Sequence, residues 1–235
     1  MTRLDKYVSE NLPCTRSEAK KLICSGRISV KGEIIKVPDF KIEEDCDVFC
    51  GQKRIEKISG LYFMLNKPAG VISTVKDDIH KTVNDLFPKE LASRIFPVGR
   101  LDVDTEGLLI MTDDGDFCHR LESPKKNVYK TYFAKCSKKP SEDAERIFEE
   151  GIAFKDYTTR PARLRLLGEE DGCACVEVEI CEGRFHQVKR MLHHVGADVI
   201  YLKRTGIGRL KLDQSLEKGT YRALNEEELK MLTEN

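Results

Sequence analysis

The chain lacks the apolar segments and the paired cysteines that would place it in a membrane or outside the cell. In its 235 residues no apolar run approaches the roughly 20 residues of a membrane-spanning helix, and no apolar core of a secretory signal follows the polar start. No two of its nine cysteines form a Cys-x-x-Cys pair. These absences predict a cytoplasmic protein with reduced cysteines, no metal site and no membrane partner.

Net charge is absent too, because 40 Lys and Arg balance 40 Asp and Glu. That balance alone argues against a nucleic-acid partner, but the charges are unevenly distributed. Residues 120–139 hold seven bases and one acid, and residues 181–211 hold seven and two. Residues 1–36 hold eight bases and four acids, whereas residues 141–157 hold six acids and two bases. The segregation predicts concentrated basic surface of the kind that binds nucleic acid.

Two short helices, at residues 2–11 and 15–25, are predicted at the amino end. The second begins with a capping box, because Thr15 is followed three residues later by Glu18. Gly26 then stands where a helix C-cap needs a left-handed backbone. The alternating segment that follows turns at a Lys-Gly pair, which predicts a β-hairpin.

This arrangement of two helices and a hairpin resembles the αL (S4-like) RNA-binding domain, which a small-subunit ribosomal protein and several tRNA synthetases share. The resemblance implies an RNA-binding domain at residues 1–56, with a linker near residues 51–57. The bases around the second helix that are expected to contact RNA are Arg16, Lys20, Lys21 and Arg27.

A second domain, at residues 60–235, is predicted to begin with strands at 61–65 and 71–75. A Lys-Pro-x-Gly turn at residues 67–70 joins them, and a structural role is expected for it. Further along, the run Gly-Arg-Leu-Asp ending at Asp102 precedes the apolar strand segment 108–112, which can hold the loop rigid.

The Gly-Arg-Leu-Asp run offers Arg100 as a bidentate clamp for phosphate and Asp102 as a nucleophile or base. It resembles the signature of pseudouridine synthases, which convert uridine in RNA into its C-glycoside isomer. The resemblance implies that Asp102 acts at the sugar of the target uridine. It also implies that Arg100 lies near the stack that the extruded nucleotide vacates.

A calcium loop is the competing interpretation of this segment. Five residues fall on positions of the calcium-loop template: Asp102, Asp104, Glu106, Gly107 and Asp113. Two of them are not the preferred residue types, and Pro97 and Gly99 stand where the entering helix should be. The segment is therefore expected to form a loop before a strand.

Residues 123–132 place a basic run before an aromatic strand. A tyrosine on such a strand is usually a core residue. The Lys-x-Tyr element that begins at Lys130 resembles the second conserved patch of the synthases. It implies that Tyr132, and not Tyr129, is the active-site tyrosine that stacks on the base or relays a proton.

Residues 182–192 predict a helix whose apolar stripe includes Lys189. The stripe consists of Phe185, Val188, Leu192 and Val195. A lysine within it must extend to solvent or meet an anion. The resemblance implies that Lys189 ion-pairs with Asp102 and keeps it ionised. Most synthase branches have arginine here, so Lys189 is a departure, but one that suits the small-subunit branch.

Two further contacts are predicted near this helix. Arg190 shares a different helix face with His186 and His193 and is expected to meet RNA phosphate. Leu202, in the apolar segment after the helix, is expected to contact the uracil.

The resemblance covers nearly the whole chain and implies an α/β (α+β) catalytic domain with a mixed, mostly antiparallel central sheet, preceded by the αL module. The motif at 185–191 favours a synthase for small-subunit (16S) ribosomal RNA, acting as a monomer on a partly assembled subunit without a cofactor. Three alternatives stay open. They are a synthase for large-subunit (23S) RNA or tRNA, an RNA-binding protein without catalysis, and a calcium-responsive protein.

Overall fold

The computed structural model describes residues 2–12, 14–43, 46–55, 60–123 and 126–233. The chain divides into two compact units, Met1–Gly60 and Leu61–Asn235. The predicted domain end at Glu56 and the last residues of the predicted linker lie outside the described residues, as does Pro124 of the basic run.

The amino-terminal unit packs two helices against short strands. The helices are α1 (Leu4–Asn11) and α2 (Arg16–Cys24), and the strands are β1 (Thr2–Arg3), β2 (Ile28–Val30), β3 (Glu33–Ile34), β4 (Lys41–Ile42), β5 (Val48–Cys50) and β6 (Lys53–Arg54). Strand β1 pairs with β4, and the order of the other sheet is β3-β2-β5-β6. Helix α1 starts later than predicted, because Thr2 and Arg3 pair with β4.

Two local predictions for this unit are confirmed. Thr15 and Glu18 form the reciprocal capping box at the start of α2. Lys31 and Gly32 both have positive φ, 50° and 88°, which is the geometry of a tight hairpin between β2 and β3.

The second unit is a mixed sheet with helices on both faces. Its strands are β7 (Tyr62–Lys67), β8 (Phe96–Val98), β9 (Glu106–Thr112), β10 (Lys130–Cys136), β11 (Arg163–Glu170), β12 (Cys173–Ile180), β13 (Val199–Ile207), β14 (Leu210–Lys211) and β15 (Tyr221–Ala223). Its helices are α3 (Lys89–Ala92), α4 (Gly115–Glu122), α5 (Ala144–Glu150), α6 (Gln187–His194) and α7 (Glu226–Thr233), with a 3-10 turn at Asn84–Leu86.

The strand order is β11-β12-β10-β13-β9-β7-β15, with β14 beside β13 and β8 beside β9. Strands β9 and β13 run parallel, and the other described neighbours are antiparallel. The predicted mixed, mostly antiparallel sheet is thus confirmed. No helix in the described part of the chain is long and apolar enough to cross a membrane.

Strand β9 is buried along its whole length. Its residues alternate between two cores, because Leu109 and Met111 pack in the cluster that includes α6, whereas Leu108 and Ile110 pack in the cluster that includes α4. A strand buried on both faces gives the loop before it a rigid end.

The predicted strand at residues 71–75 is wrong. Ile72 forms only an isolated bridge to Thr82. The hydroxyl of Ser73 donates to the carbonyl of Leu101 at 2.9 Å and accepts from the amide of Leu101 at 3.1 Å. The segment therefore bonds to the loop before β9 instead of pairing as a strand.

Candidate active site

The loop between β8 and β9 carries Arg100 and Asp102 and is fixed where it enters the sheet. Gly107, the second residue of β9, has φ of 103°. A Cβ at this position would overlap the carbonyl oxygen of Arg204 on β13. Only glycine therefore permits the close parallel approach of β9 to β13 at the point where the loop ends.

Lys67, the last residue of β7, lies beneath the same loop and is fully buried. Its Nζ donates to the carbonyls of Asp102 at 3.1 Å and Thr105 at 2.9 Å, and to that of Pro68 at 3.1 Å. Burial lowers the pKa of Lys67 to about 8, against the opposing influence of nearby carboxylates. The sequence interpretation gave the Lys-Pro turn a structural role and missed its place under Asp102; the lysine that ends a buried strand was the available signal.

The carboxylate of Asp102, in the loop before β9, faces the ammonium of Lys189 on α6. Nζ of Lys189 lies 3.2 Å from Oδ2 of Asp102 and 2.6 Å from Oδ1 of Asp104. The Lys189 side chain is 23% exposed and that of Asp102 is 27% exposed, so a ligand can reach both. The hydrogen bond from Lys189 lowers the pKa of Asp104.

Helix α6 begins one turn later than the periodicity suggests. His186 precedes it in a left-handed conformation, with φ of 51° and ψ of 29°, which costs a non-glycine residue about 1–2 kcal/mol. This bend takes Phe185 out of the apolar stripe, and the prediction that Phe185 packs inward is wrong, since it is 77% exposed. Val188 and Leu192 are buried as expected.

The left-handed bend also places His186 at the site. Its Nε2 lies 3.8 Å from Oδ2 of Asp102. The expectation that His186 shares a helix face with Arg190 and His193 is therefore wrong. His193 instead contacts Asp198 through Nδ1 at 2.6 Å.

Tyr132 and Leu202 are buried on the neighbouring strands β10 and β13. Both belong to the core cluster that contains Leu101, the residue before Asp102, and Val188 of α6. Directly opposite Tyr132, Arg204 is buried and donates Nε to the carbonyl of Leu108 at 2.7 Å. The sheet thus brings the tyrosine and the leucine into the core beside the loop of Asp102.

The predicted arginines differ in their surroundings. Arg100 is exposed and lines a cleft of about 320 Å³ together with Ser73, Phe96 and Glu122. Arg190 on α6 pairs with Asp156, to which its two Nη atoms donate at 3.0 and 2.6 Å. The four bases predicted to clip RNA belong to the amino-terminal unit, where all are exposed and Arg16 lies 3.3 Å from the buried Asp5.

The acids of the calcium-loop template contact different partners. Glu106 accepts hydrogen bonds from Tyr201 at 2.7 Å and Lys218 at 3.0 Å. Asp113 accepts from the amide of Leu61 and pairs with Arg94 at 3.0 Å. Among the residues that the structure describes, no three His, Cys, Asp or Glu side chains are grouped to hold a metal ion. The calcium-loop alternative is therefore contradicted.

Known proteins share both units of this chain. The family described as RNA pseudouridylate synthase matches residues 61–194, and the S4 domain matches residues 2–48. A ribosomal small subunit pseudouridine synthase A of Haemophilus influenzae is 39% identical over 98% of this chain and 99% of its own length. Its Escherichia coli K12 namesake is 38% identical over 97% and 98%. A crystal structure of a pseudouridylate synthase aligns with a TM-score of 0.70 and 39% identity, over 99% of this chain and 100% of the other.

Proposed function

The chain belongs to the RNA pseudouridylate synthase family, and we propose that it isomerises a specific uridine of small-subunit (16S) ribosomal RNA to pseudouridine. The observation that carries the proposal is the reachable carboxylate of Asp102, 3.2 Å from the ammonium of Lys189. The small-subunit substrate is supported by the two relatives, both named ribosomal small subunit pseudouridine synthase A.

The reaction breaks the bond from N1 of uracil to C1′ of the ribose, turns the base and forms a bond from C5 to C1′. Asp102 acts at the sugar, either by direct attack on C1′ or by assisting elimination of the base through a glycal. Lys189 places its ammonium beside the carboxylate as a counter-ion. The proton lost from C5 balances the one gained at N1, so the isomerisation needs no oxidant, group donor or cofactor.

The uridine must leave the RNA stack to reach Asp102, which costs a few kcal/mol. In the proposal Arg100, exposed on the same loop, lies against the vacated stack and the phosphates. Tyr132 stacks on the extruded base or relays a proton, and Leu202 contacts the uracil. Arg190 meets the RNA backbone at the edge of the site.

The amino-terminal unit is proposed to hold the ribosomal RNA while the second unit acts. Its candidate contacts are Arg16, Lys20, Lys21 and Arg27, all of them exposed. We propose domain limits of 1–56 and 60–235. We further propose that the protein acts in the cytoplasm as a monomer on a partly assembled small subunit.

Tritium release from RNA labelled at C5 of uridine tests this function. Small-subunit and large-subunit ribosomal RNA are compared, each naked and partly assembled, with wild type and with Asp102→Asn. Release from small-subunit RNA by wild type alone supports the proposal. Release from large-subunit RNA alone would keep the chemistry and reject the substrate. Tight binding with no release from any RNA would favour the alternative of a binding protein without catalysis.

A further inference from the structure

An exposed pair of aromatic rings stands at the edge of the candidate active site. The rings of Phe185 and His186 are stacked, with centroids 3.8 Å apart and planes 17° from parallel. Phe185 is 77% exposed, and Nε2 of His186 lies 3.8 Å from the Asp102 carboxylate. The core does not account for Phe185, because the hydrophobic cluster beneath α6 is formed without it.

We propose that Phe185 and His186 form a stacking platform for the nucleobase next to the extruded uridine. This inference rests on the proposed function, since it assumes that a uridine reaches Asp102. Extrusion removes one base from the RNA stack and leaves a face of its neighbour uncovered. An aromatic ring supplies a new partner for that face.

The position of the platform fits a neighbouring nucleotide. A base next to the extruded uridine is joined to it through one phosphodiester and must lie near Asp102, and His186 borders that carboxylate, with Nε2 3.8 Å from Oδ2. Arg184, directly before Phe185, has an exposed side chain that an RNA phosphate beside the rings can reach. Every base has a π-face, so stacking of this kind tolerates any neighbour and contributes to RNA affinity rather than to the choice of site.

The competing explanation is that Phe185 only holds His186 in place beside Asp102. The two roles differ in kinetics. A platform acts in RNA binding, so its loss raises KM and leaves kcat largely intact. A support for His186 would lower kcat, because it would act through the reacting carboxylate. Leu167 on β11 provides a matched control, as an exposed large apolar residue of the same unit.

The kinetic experiment compares Phe185→Ala, Phe185→Leu, Phe185→Tyr and Leu167→Ala in the full chain, on the RNA that wild type modifies. We expect Ala and Leu at position 185 to raise KM by roughly tenfold, the usual size of one base–aromatic contact. Tyr, which keeps a ring, recovers most of that loss, and the Leu167 variant matches wild type. A fall in kcat with unchanged KM, or equal KM for Leu and Tyr, would overturn the platform.

Ultraviolet crosslinking supplies a readout that does not depend on turnover. Asp102→Asn protein is irradiated with small-subunit ribosomal RNA, and the crosslinked peptides are sequenced by mass spectrometry. A nucleotide on Phe185 or His186 supports the platform even if wild type forms no pseudouridine, in which case only the proposed function fails. If wild type turns over normally but RNA crosslinks to other residues and not to these rings, the platform is rejected and the proposed function stands. If there is no turnover and no crosslink at these rings, both the platform and the proposed function are rejected.

Discussion

The ammonium of Lys189 lies closer to Asp104 than to the carboxylate that the family signature singles out. The distances are 2.6 Å to Asp104 and 3.2 Å to Asp102. One cation is therefore shared by two carboxylates only two residues apart in the chain. Asp104 is the more exposed of the two, so it can hold the lysine at the rim while Asp102 faces the site.

This sharing predicts unequal effects of removing each partner. Lys189→Met removes the ammonium that contacts both carboxylates, and we expect kcat/KM to fall about 100-fold, the size of a charge-assisted contact. The pKa of Asp104, now lowered by Lys189, should rise in this variant. Asp104→Asn keeps the pair with Asp102 and should cost about tenfold or less. Steady-state kinetics measure the loss of kcat/KM in each variant, and a carboxylate NMR titration measures the pKa of Asp104. Equal losses of kcat/KM in the two variants would contradict the idea that Lys189 is shared by both carboxylates.

Lys67 should act on the order of the loop of Asp102. Its Nζ donates to the carbonyls of Asp102, Val103 and Thr105 in the loop and to that of Pro68 after β7, so Lys67→Met removes the contacts that hold the main chain of Asp102. We expect amides 102–105 to lose hydrogen-exchange protection and turnover to fall by about 100-fold or more, with RNA affinity retained. Because burial lowers the pKa of Lys67 to about 8, the closed loop binds fewer protons than the open one above that pH, so wild-type protection should strengthen between about pH 8 and 10, and the Met variant should lose this dependence. Full protection in the Met variant would contradict this role.

Gly107→Ala should destabilise the second unit by about 3 kcal/mol or more, since it adds a backbone overlap with Arg204 to a left-handed strain. Gly172→Ala is the matched control, because Gly172 also has positive φ but open space around it. Strain alone should cost the control about 1 kcal/mol. Hydrogen exchange of the β9 amides, measured across a series of urea concentrations, gives the unfolding midpoint of each variant. Equal midpoints for the two variants would show that β9 and β13 can move apart to accommodate a methyl group.

The amino-terminal unit should lose stability in acid through Asp5. Burial alone raises the pKa of Asp5, but hydrogen bonds from Arg3 and Arg16 outweigh it and bring the pKa to about 2. Because this pKa is below the unfolded value, the stabilisation is complete above about pH 4 and disappears as the pH falls toward 2. Allowing for screening of the half-exposed arginines, it amounts to about 1–2 kcal/mol. Hydrogen exchange of α1 should show this loss in wild type, and Asp5→Asn should reduce it; an unchanged pH dependence would contradict the assignment.

Binding of RNA by the amino-terminal unit should depend on salt through α2. Replacing Arg16, Lys20 and Lys21 with Ala should flatten the plot of log affinity against log salt by about 0.7 per lost phosphate contact. Lys31 and Arg54 are the controls, since they are bases of the same unit that lie outside α2 and pair with Glu43 and Asp47. An unchanged slope for the triple variant would place the RNA elsewhere.

Sequence patterns predicted the features that depend on neighbours along the chain. The capping box of Thr15 and the hairpin at Lys31 and Gly32 formed as expected, because side-chain and backbone contacts a few residues apart determine them. The apolar run of β9 and the motif resemblance likewise predicted the fold class and the family. The helical stripe did not extend to Phe185, because the left-handed backbone of His186 interrupts the period that the stripe assumes.

By itself, the sequence determined the two modules, the family and the loop that carries Asp102. Only the tertiary structure placed Lys67 beneath that loop and gave Asp104 the shorter contact with Lys189. It also showed Glu106 and Asp113 bonded to separate partners. The physical reason is that these contacts join segments far apart in the chain. Which side chains meet is decided by β9 lying between β7 and β13, and local periodicity carries no information about that order.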